Sequence, residues 1–226
     1  MSIRSKLYSY ELVKSAKNRI RPVKHLLFGK NGIYWVMDEV ARGAGGADKV
    51  KTIFDVGAAT GEYALHFLKK FPKATIYCFE PLPAQFEQLQ RRMKNFGDRV
   101  QLFNFGLYNH EGEATFYEAP YKDASSVIEG RGMATTVMMR RLDEVIKELP
   151  VNHIDFIKID VEGVEREVIE GGMKTLGDMV DNAFIEIQPS FKNYNGDHLV
   201  VFERLERLGL KFVGCFEDYF FSKKVG

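Results

Sequence analysis

Cysteine is scarce in this chain of 226 residues: there are two, Cys78 and Cys215. Two isolated thiols make neither a disulfide framework nor a metal knuckle. A reducing compartment, the cytoplasm, is the expectation, with Cys78 a small core residue in an apolar run. Long hydrophobic runs are missing as well. Nothing approaches the ~18 apolar residues of a membrane span, and MSIRSKLYSYELVKSAKNRI has no apolar signal core. Net charge is also lacking, at +1 overall. Residues 1–30 hold eight Lys and Arg against Glu11 alone, so the remainder is acidic. A nucleic-acid binder shows a broader basic footprint on its main domain, which makes nucleic acid an unexpected partner. There is no repeat, low-complexity segment or long linker. What is present, 45% hydrophobic and 28% charged residues, is ordinary for a globular protein. The length suits one large domain, burying about 70% of its unfolded surface.

The organising stretch is TIFDVGAATG at 52–61. An apolar run ends at Asp55, Gly57 and Gly61 follow, and Ala64, Leu65 and Leu68 then recur at helical spacing. This reads as a buried strand, a tight loop and a helix. Glycine lets a ligand approach the backbone, and a helix N-terminus offers free N–H donors. A dinucleotide fingerprint needs G-x-G-x-x-G; Ala59 stands where its second glycine would be, which disfavours a dehydrogenase. D-x-G-x-x-x-G with Glu80 at the end of the next strand suits S-adenosylmethionine better.

Residues 3–20 carry Ile3, Leu7, Tyr10, Val13 and Ile20 at helical spacing, an amphipathic helix ending before Pro22. It reads as a helix packed on its own domain, a cap over the substrate pocket, a dimer contact or an anionic-surface anchor. Strands are expected at 74–80, 100–105, 153–160 and 183–187. Helices are expected from Pro83 to a stop at Gly97, over 142–149, from Val161-Glu162-Gly163 through Glu170, and over 198–208. Short strands at 114–118 and 135–139 flank a polar loop, 121–132. Strands at 210–216 and 219–222 close the chain. The β-α alternation argues for a parallel sheet with helices on both faces.

FDVGAATGEYALHF at 54–67, FEPLP at 79–83, LDEVI at 142–146 and IDFIKIDVEGVEREVIEGG at 154–172 resemble the FkbM family of S-adenosylmethionine-dependent methyltransferases. The resemblance spans roughly 52 to 190. Ala59-Thr60-Gly61 departs mildly from the Asn-x-Gly usual in the family's first loop. The resemblance implies an α/β class I methyltransferase (Rossmann-like) fold: a mostly parallel seven-stranded sheet with helices on both faces. Here it carries an N-terminal helical extension, giving an arm at 1–47 and a methyltransferase domain at 48–226. It also implies an enzyme that methylates oxygen on a sugar, glycan or small metabolite. The alternatives are a nucleic-acid methyltransferase using the basic arm, or an inactive nucleoside-binding relative.

Asp55 with Gly57, Ala58, Ala59, Thr60 and Gly61 is expected to line the methionine moiety. Glu80, next to Pro81, is expected to accept hydrogen bonds from both ribose hydroxyls. By resemblance, Gly106 and Leu107 lie where adenine rests. Asp160 is expected to anchor the cofactor's ammonium, act as general base, or bind a divalent metal, with a helix N-cap as the purely structural reading. No His-rich constellation favours a metal. Glu162 caps the helix or orients the acceptor. His110, Tyr121, Ser125, Ser126, Glu186 and Gln188 are candidate acceptor contacts. Tyr34 and Trp35 either stack on a sugar or pack in the core. A homodimer is one use of the arm.

Overall fold

In a computed structural model of the chain, residues 32–118, 125–126, 133–186, 203–215 and 219–223 are described. The amphipathic helix expected at 3–20 lies outside them, as does the start of the helix expected at 198–208, of which 203–207 is helical.

The apolar runs become β1 (Thr52–Val56), β2 (Thr75–Phe79), β3 (Val100–Phe103), β8 (Phe156–Ile159) and β9 (Asn182–Ile185). Between β3 and β8 lie β4 (Gly106–Leu107), β5 (Gly112–Glu118), β6 (Ser125–Ser126) and β7 (Met133–Arg140); β10 (Lys211–Cys215) and β11 (Tyr219–Ser222) close the chain. The main sheet runs β10-β11-β9-β8-β1-β2-β3. Its β3, β2, β1, β8 and β9 pair in parallel, and β11 and β10 add antiparallel. Seven strands, mostly parallel, match the expectation.

Period-2 alternation sends side chains to two faces. Phe54, Val56, Tyr77, Phe79, Ile157 and Ile159 pack on one face. Over them lie α4 (Leu142–Val145), α5 (Glu165–Gly171) and α6 (Met173–Met179), through Leu142, Val145, Val168, Ile169 and Leu176. Ile53, Ile76, Cys78 and Phe156 face the other way. They meet α1 (Gly32–Gly43), α2 (Glu62–Lys70) and α3 (Pro83–Met93). Both faces are therefore covered, as a parallel sheet requires. Helix α1 falls within the stretch assigned to the arm, and buries Ile33, Val36, Met37 and Val40 in the second core. Trp35 meets Phe220 edge to face, while Tyr34 is exposed.

Several boundaries differ from expectation. The helix expected from Val161 starts at Glu165, because Glu162 and Gly163 take φ of 55° and 108° and make a turn. The helix expected to Leu149 is α-helical only to Val145 and continues as a 3₁₀ turn, Ile146–Glu148. Helix α3 ends at Met93, and Gly97 opens a 3₁₀ turn instead of stopping it. The short strands at 114–118 and 135–139 belong to a separate sheet, β4-β7-β5-β6. In it β5 and β7 pair antiparallel from Gly112↔Met139 to Glu118↔Met133. Its alternation is clear: Phe116, Val137 and Met139 bury against Leu82, while Thr115, Thr136 and Met138 face out.

Candidate functional site

The chain leaves β1 toward β2 and β3, and leaves β8 toward β9, on the opposite side. The strand order thus reverses between β1 and β8, and crevices form outside the carboxyl ends of strands at such a point. A cavity of about 320 Å³ opens there, within the size range of small-ligand sites. Of the residues expected at the site, Gly57, Ala59, Glu80, Pro81, Gly106, Leu107, Asp160 and Glu162 line it. Phe79, Leu82, Phe116 and Met139 give it apolar walls, the last two contributed by the second sheet.

Glu80 is 4% exposed. Its Oε2 accepts from the Ala59 amide at 2.8 Å and its Oε1 from the Leu82 amide at 2.9 Å. Burial pushes its carboxyl up from 4.5 to about 7, against the pull of those two amides. Each carboxylate oxygen has a second acceptor site, so ligand hydroxyls can still be bound. Ala59 and Glu162 are the two non-glycine residues with positive φ among the described residues, at 47° and 55°. Both border the cavity. Such backbone costs of order 1–3 kcal/mol and clusters at functional sites.

Gly57 has a role other than ligand approach. With φ of 78°, a Cβ there would fall 1.8 Å from the Asp160 carbonyl oxygen. The glycine lets the β1 loop touch the end of β8. Ala58, Thr60 and Gly61 do not line the cavity. Thr60 Oγ1 accepts from Arg92 at 3.2 Å.

Asp55 is a correction. It lies in β1 on the α2 face, is 0% exposed, and does not reach the cavity. The pleat decides this: Val56 and Gly57 carry the chain past the strand end, while Asp55 stays beside its register partners Cys78 and Lys158. Lys158, also 0% exposed, places Nζ 3.5 Å from Asp55 Oδ1 and donates to Asp160 Oδ2 at 2.9 Å. Among the described residues Lys158, at that 3.5 Å, is the one polar group that meets the Asp55 carboxylate, and it does so as an ion pair without good hydrogen-bond geometry. Burial raises the Asp55 carboxyl to about 6 despite Lys158. Burial pulls the Lys158 ammonium down, but Asp160 and Asp55 outweigh it and hold it charged. Asp160 is not a helix cap: α5 has Val164 at its N-cap position and no side-chain cap.

Lys158 had no role in the sequence reading. The signal was there, a lysine between Ile157 and Ile159 in an otherwise apolar strand, since lysine is almost never fully buried unless paired.

Among the described side chains, the expected acceptor contacts His110 and Glu186 do not line the cavity. His110 is exposed and pairs with Asn109 Oδ1 at 3.2 Å. Glu186 follows β9, its amide donating to Ile159 O, and does not line the cavity. Ser125 and Ser126 pair with Glu118 and Tyr117 as β6. Tyr121 and Gln188 lie outside the described residues. No helix among the described residues is long and apolar enough to cross a membrane.

"Methyltransferase 1" of Beauveria bassiana is 29% identical over 158 residues, covering 60% of this chain and 64% of that protein. "2-O-methyltransferase NoeI" of Sinorhizobium fredii is 32% identical over 142 residues, covering 55% and 58%. The chain thus spans under two thirds of the length of these curated relatives. Among solved structures, a putative rRNA methylase from Clostridium thermocellum superimposes with a TM-score of 0.54 at 10% identity, covering 85% of this chain and 96% of that one. The N-terminal domain of human METTL16 also gives 0.54, at 14% identity, covering 85% and 69%. These two likenesses show the fold, that of class I methyltransferases. The model of the FkbM methyltransferase domain matches residues 55–212, most of the chain, and the chain belongs to that methyltransferase family.

Proposed function

We propose that the cavity binds S-adenosylmethionine and that the protein transfers its methyl group to a hydroxyl oxygen of a sugar, glycan or small metabolite. The observation that carries this is the charge of the lining. Glu80, Asp160 and Glu162 border the cavity, and no Lys, Arg or His does so among the described residues. A carboxylate-lined, partly apolar cavity favours a ligand with a sulfonium and an ammonium, and repels the phosphates of a dinucleotide. The relatives add the acceptor class: one is named a 2-O-methyltransferase, and another, of Haloferax volcanii and 26% identical, a hexuronic acid methyltransferase.

When bound, S-adenosylmethionine supplies an electrophilic methyl group on sulfur. Glu80 accepts from the ribose hydroxyls while its other acceptor sites hold the Ala59 and Leu82 amides, so its position is fixed before the ligand arrives. Asp160 faces the cationic end. Leu107, Phe116 and Met139 exclude water beside the nucleoside. Positioning of this kind supplies about 7–11 kcal/mol of a transfer barrier; as the new C–O bond forms the methyl–sulfur bond would break, its electron pair returning to sulfur, and the acceptor's proton leaves to a carboxylate or to solvent.

Calorimetry with S-adenosylhomocysteine and with NAD tests the cofactor: the first should bind and the second should not. Binding of NAD alone overturns the reading. Incubation of labelled S-adenosylmethionine with a panel of sugars, uronic acids and hydroxylated metabolites then tests the acceptor. Label on a nitrogen or carbon acceptor alone would overturn O-methylation.

A further inference from the structure

A lysine without exposed surface is expensive to bury unless its charge is met. Lys158 meets two carboxylates, and its Nζ also lies 4.6 Å from the centre of the Tyr63 ring. Strand geometry fixes the arrangement. Asp55 is the direct cross-strand neighbour of Lys158, and Asp160 stands two residues further along, on the same side. Of the three side chains only that of Asp160 has exposed surface, 18% against 0% for the other two, and only Asp160 lines the cavity. Lys158 binds its Oδ2, whereas Oδ1 accepts no hydrogen bond among the described residues.

We infer that Lys158 is a positioning residue for the ligand cation: it clamps Asp160 by Oδ2 from inside the sheet, leaves Oδ1 for the ligand, and is itself kept in place by Asp55. The inference rests on the reading of the cavity as an S-adenosylmethionine site. The trio carries one net negative charge, presented only through Asp160. Without the ammonium, two acids lie close together without compensation, and the Asp160 side chain is free to turn. Asp55 never touches ligand; its part is to make the buried lysine tolerable.

The test is calorimetric affinity for S-adenosylhomocysteine, which keeps the amino-acid ammonium, with thermal melts alongside. Lys158→Met alone leaves both acids uncompensated, so it is paired with Asp55→Asn, which removes one charge of each sign. The D55N/K158M protein should bind S-adenosylhomocysteine about tenfold more weakly, the scale of one charge-assisted contact. Asp160→Asn should do the same, and D55N/K158M/D160N should be no weaker than D160N, since both act through one carboxylate. A folded D55N/K158M protein with wild-type affinity overturns the inference, as does a further loss when D160N is added. If D55N/K158M does not fold, Lys158→Arg decides: it keeps the charge but not the clamp, so affinity should fall severalfold, and unchanged affinity overturns the proposal. Failure of the wild type to bind S-adenosylhomocysteine would instead overturn the cavity reading, and this inference with it.

Discussion

Strand β8 has an aspartate beyond each end, and the two are put to different uses. At the amino end Asp155 is 7% exposed; its Oδ2 accepts from the Lys51 and Thr52 amides at 2.8 and 3.0 Å. Its own amide donates to the Thr52 carbonyl, so it clasps β8 to the start of β1. His153 Nε2 lies 3.7 Å from Asp155 Oδ1 and 3.0 Å from Asp181 Oδ2. At the carboxyl end Asp160 meets a buried lysine and opens into a cavity. An acid held by backbone amides at a closed edge maintains the fold, and an acid held by a side chain at an open edge is available to a ligand. Glu80 stands between these cases, since amides hold it and the cavity exposes it.

The largest expected effect probes the joint between the two sides of the crevice. Gly57→Ala should cost at least about 3 kcal/mol, from positive φ plus a backbone overlap that cannot relax by rotamer change. Gly97→Ala also has positive φ but meets nothing within 4 Å, and should cost only about 1–2 kcal/mol. Urea melts of the two proteins check this, and equal losses would remove the joint from the account.

Glu80→Ala and Asp155→Ala come next. Each frees two amides, so each should lower stability by about 1–3 kcal/mol. Only Glu80→Ala should also weaken S-adenosylhomocysteine, by roughly 1.5–3 kcal/mol. Weakened binding in Asp155→Ala would break the distinction between the two edges.

A smaller effect follows from the Glu80 carboxyl near pH 7. Ribose hydroxyls donate to the ionised form, so affinity for S-adenosylhomocysteine should rise by about tenfold between pH 6 and 8. The stability linkage runs the other way. A folded value above the unfolded one means that protonation favours the fold; that contribution is complete below about pH 4.5 and is lost as pH rises through about 7. A flat affinity profile over this range would show that Glu80 is not the ribose ligand. The smallest effect is at His153, half-exposed at the closed edge. His153→Ala should change stability by no more than about 1 kcal/mol and leave S-adenosylhomocysteine binding as it was.

The sheet was legible because β-branched runs, strand-ending acids and glycines recur in a fixed rhythm. The helix starts were less so: nothing in Asp160-Val161-Glu162-Gly163 announces that Glu162 takes a left-handed turn and delays α5 to Glu165. Glu80 and Asp160 reach the cavity because they follow their strands. Asp55 was misplaced because it is the fourth residue of β1, not its last, and one residue of register sends a side chain to the other face. The second sheet was missed because the contacts of Phe116 and Met139 are long-range, and a strand's partners are not written in its own residues. His110 and Glu186 were chosen for their polarity near strand ends, and polarity carries no address.

The contact between Gly57 and Asp160 also bears on how such a protein acquires new substrates. With the two sides of the crevice joined backbone to backbone, side-chain changes at either rim leave the spacing of β1 and β8 unchanged. The roof offers a second place for variation to enter. Gly106 shows how closely that roof sits, since a Cβ there would lie 2.5 Å from Met139 Sδ. Phe116 and Met139 belong to strands that carry none of the lining carboxylates Glu80, Asp160 and Glu162. A library confined to those two positions would reshape that apolar wall while leaving Glu80, Asp160 and Glu162 in place, a separation of tasks that the main sheet does not allow.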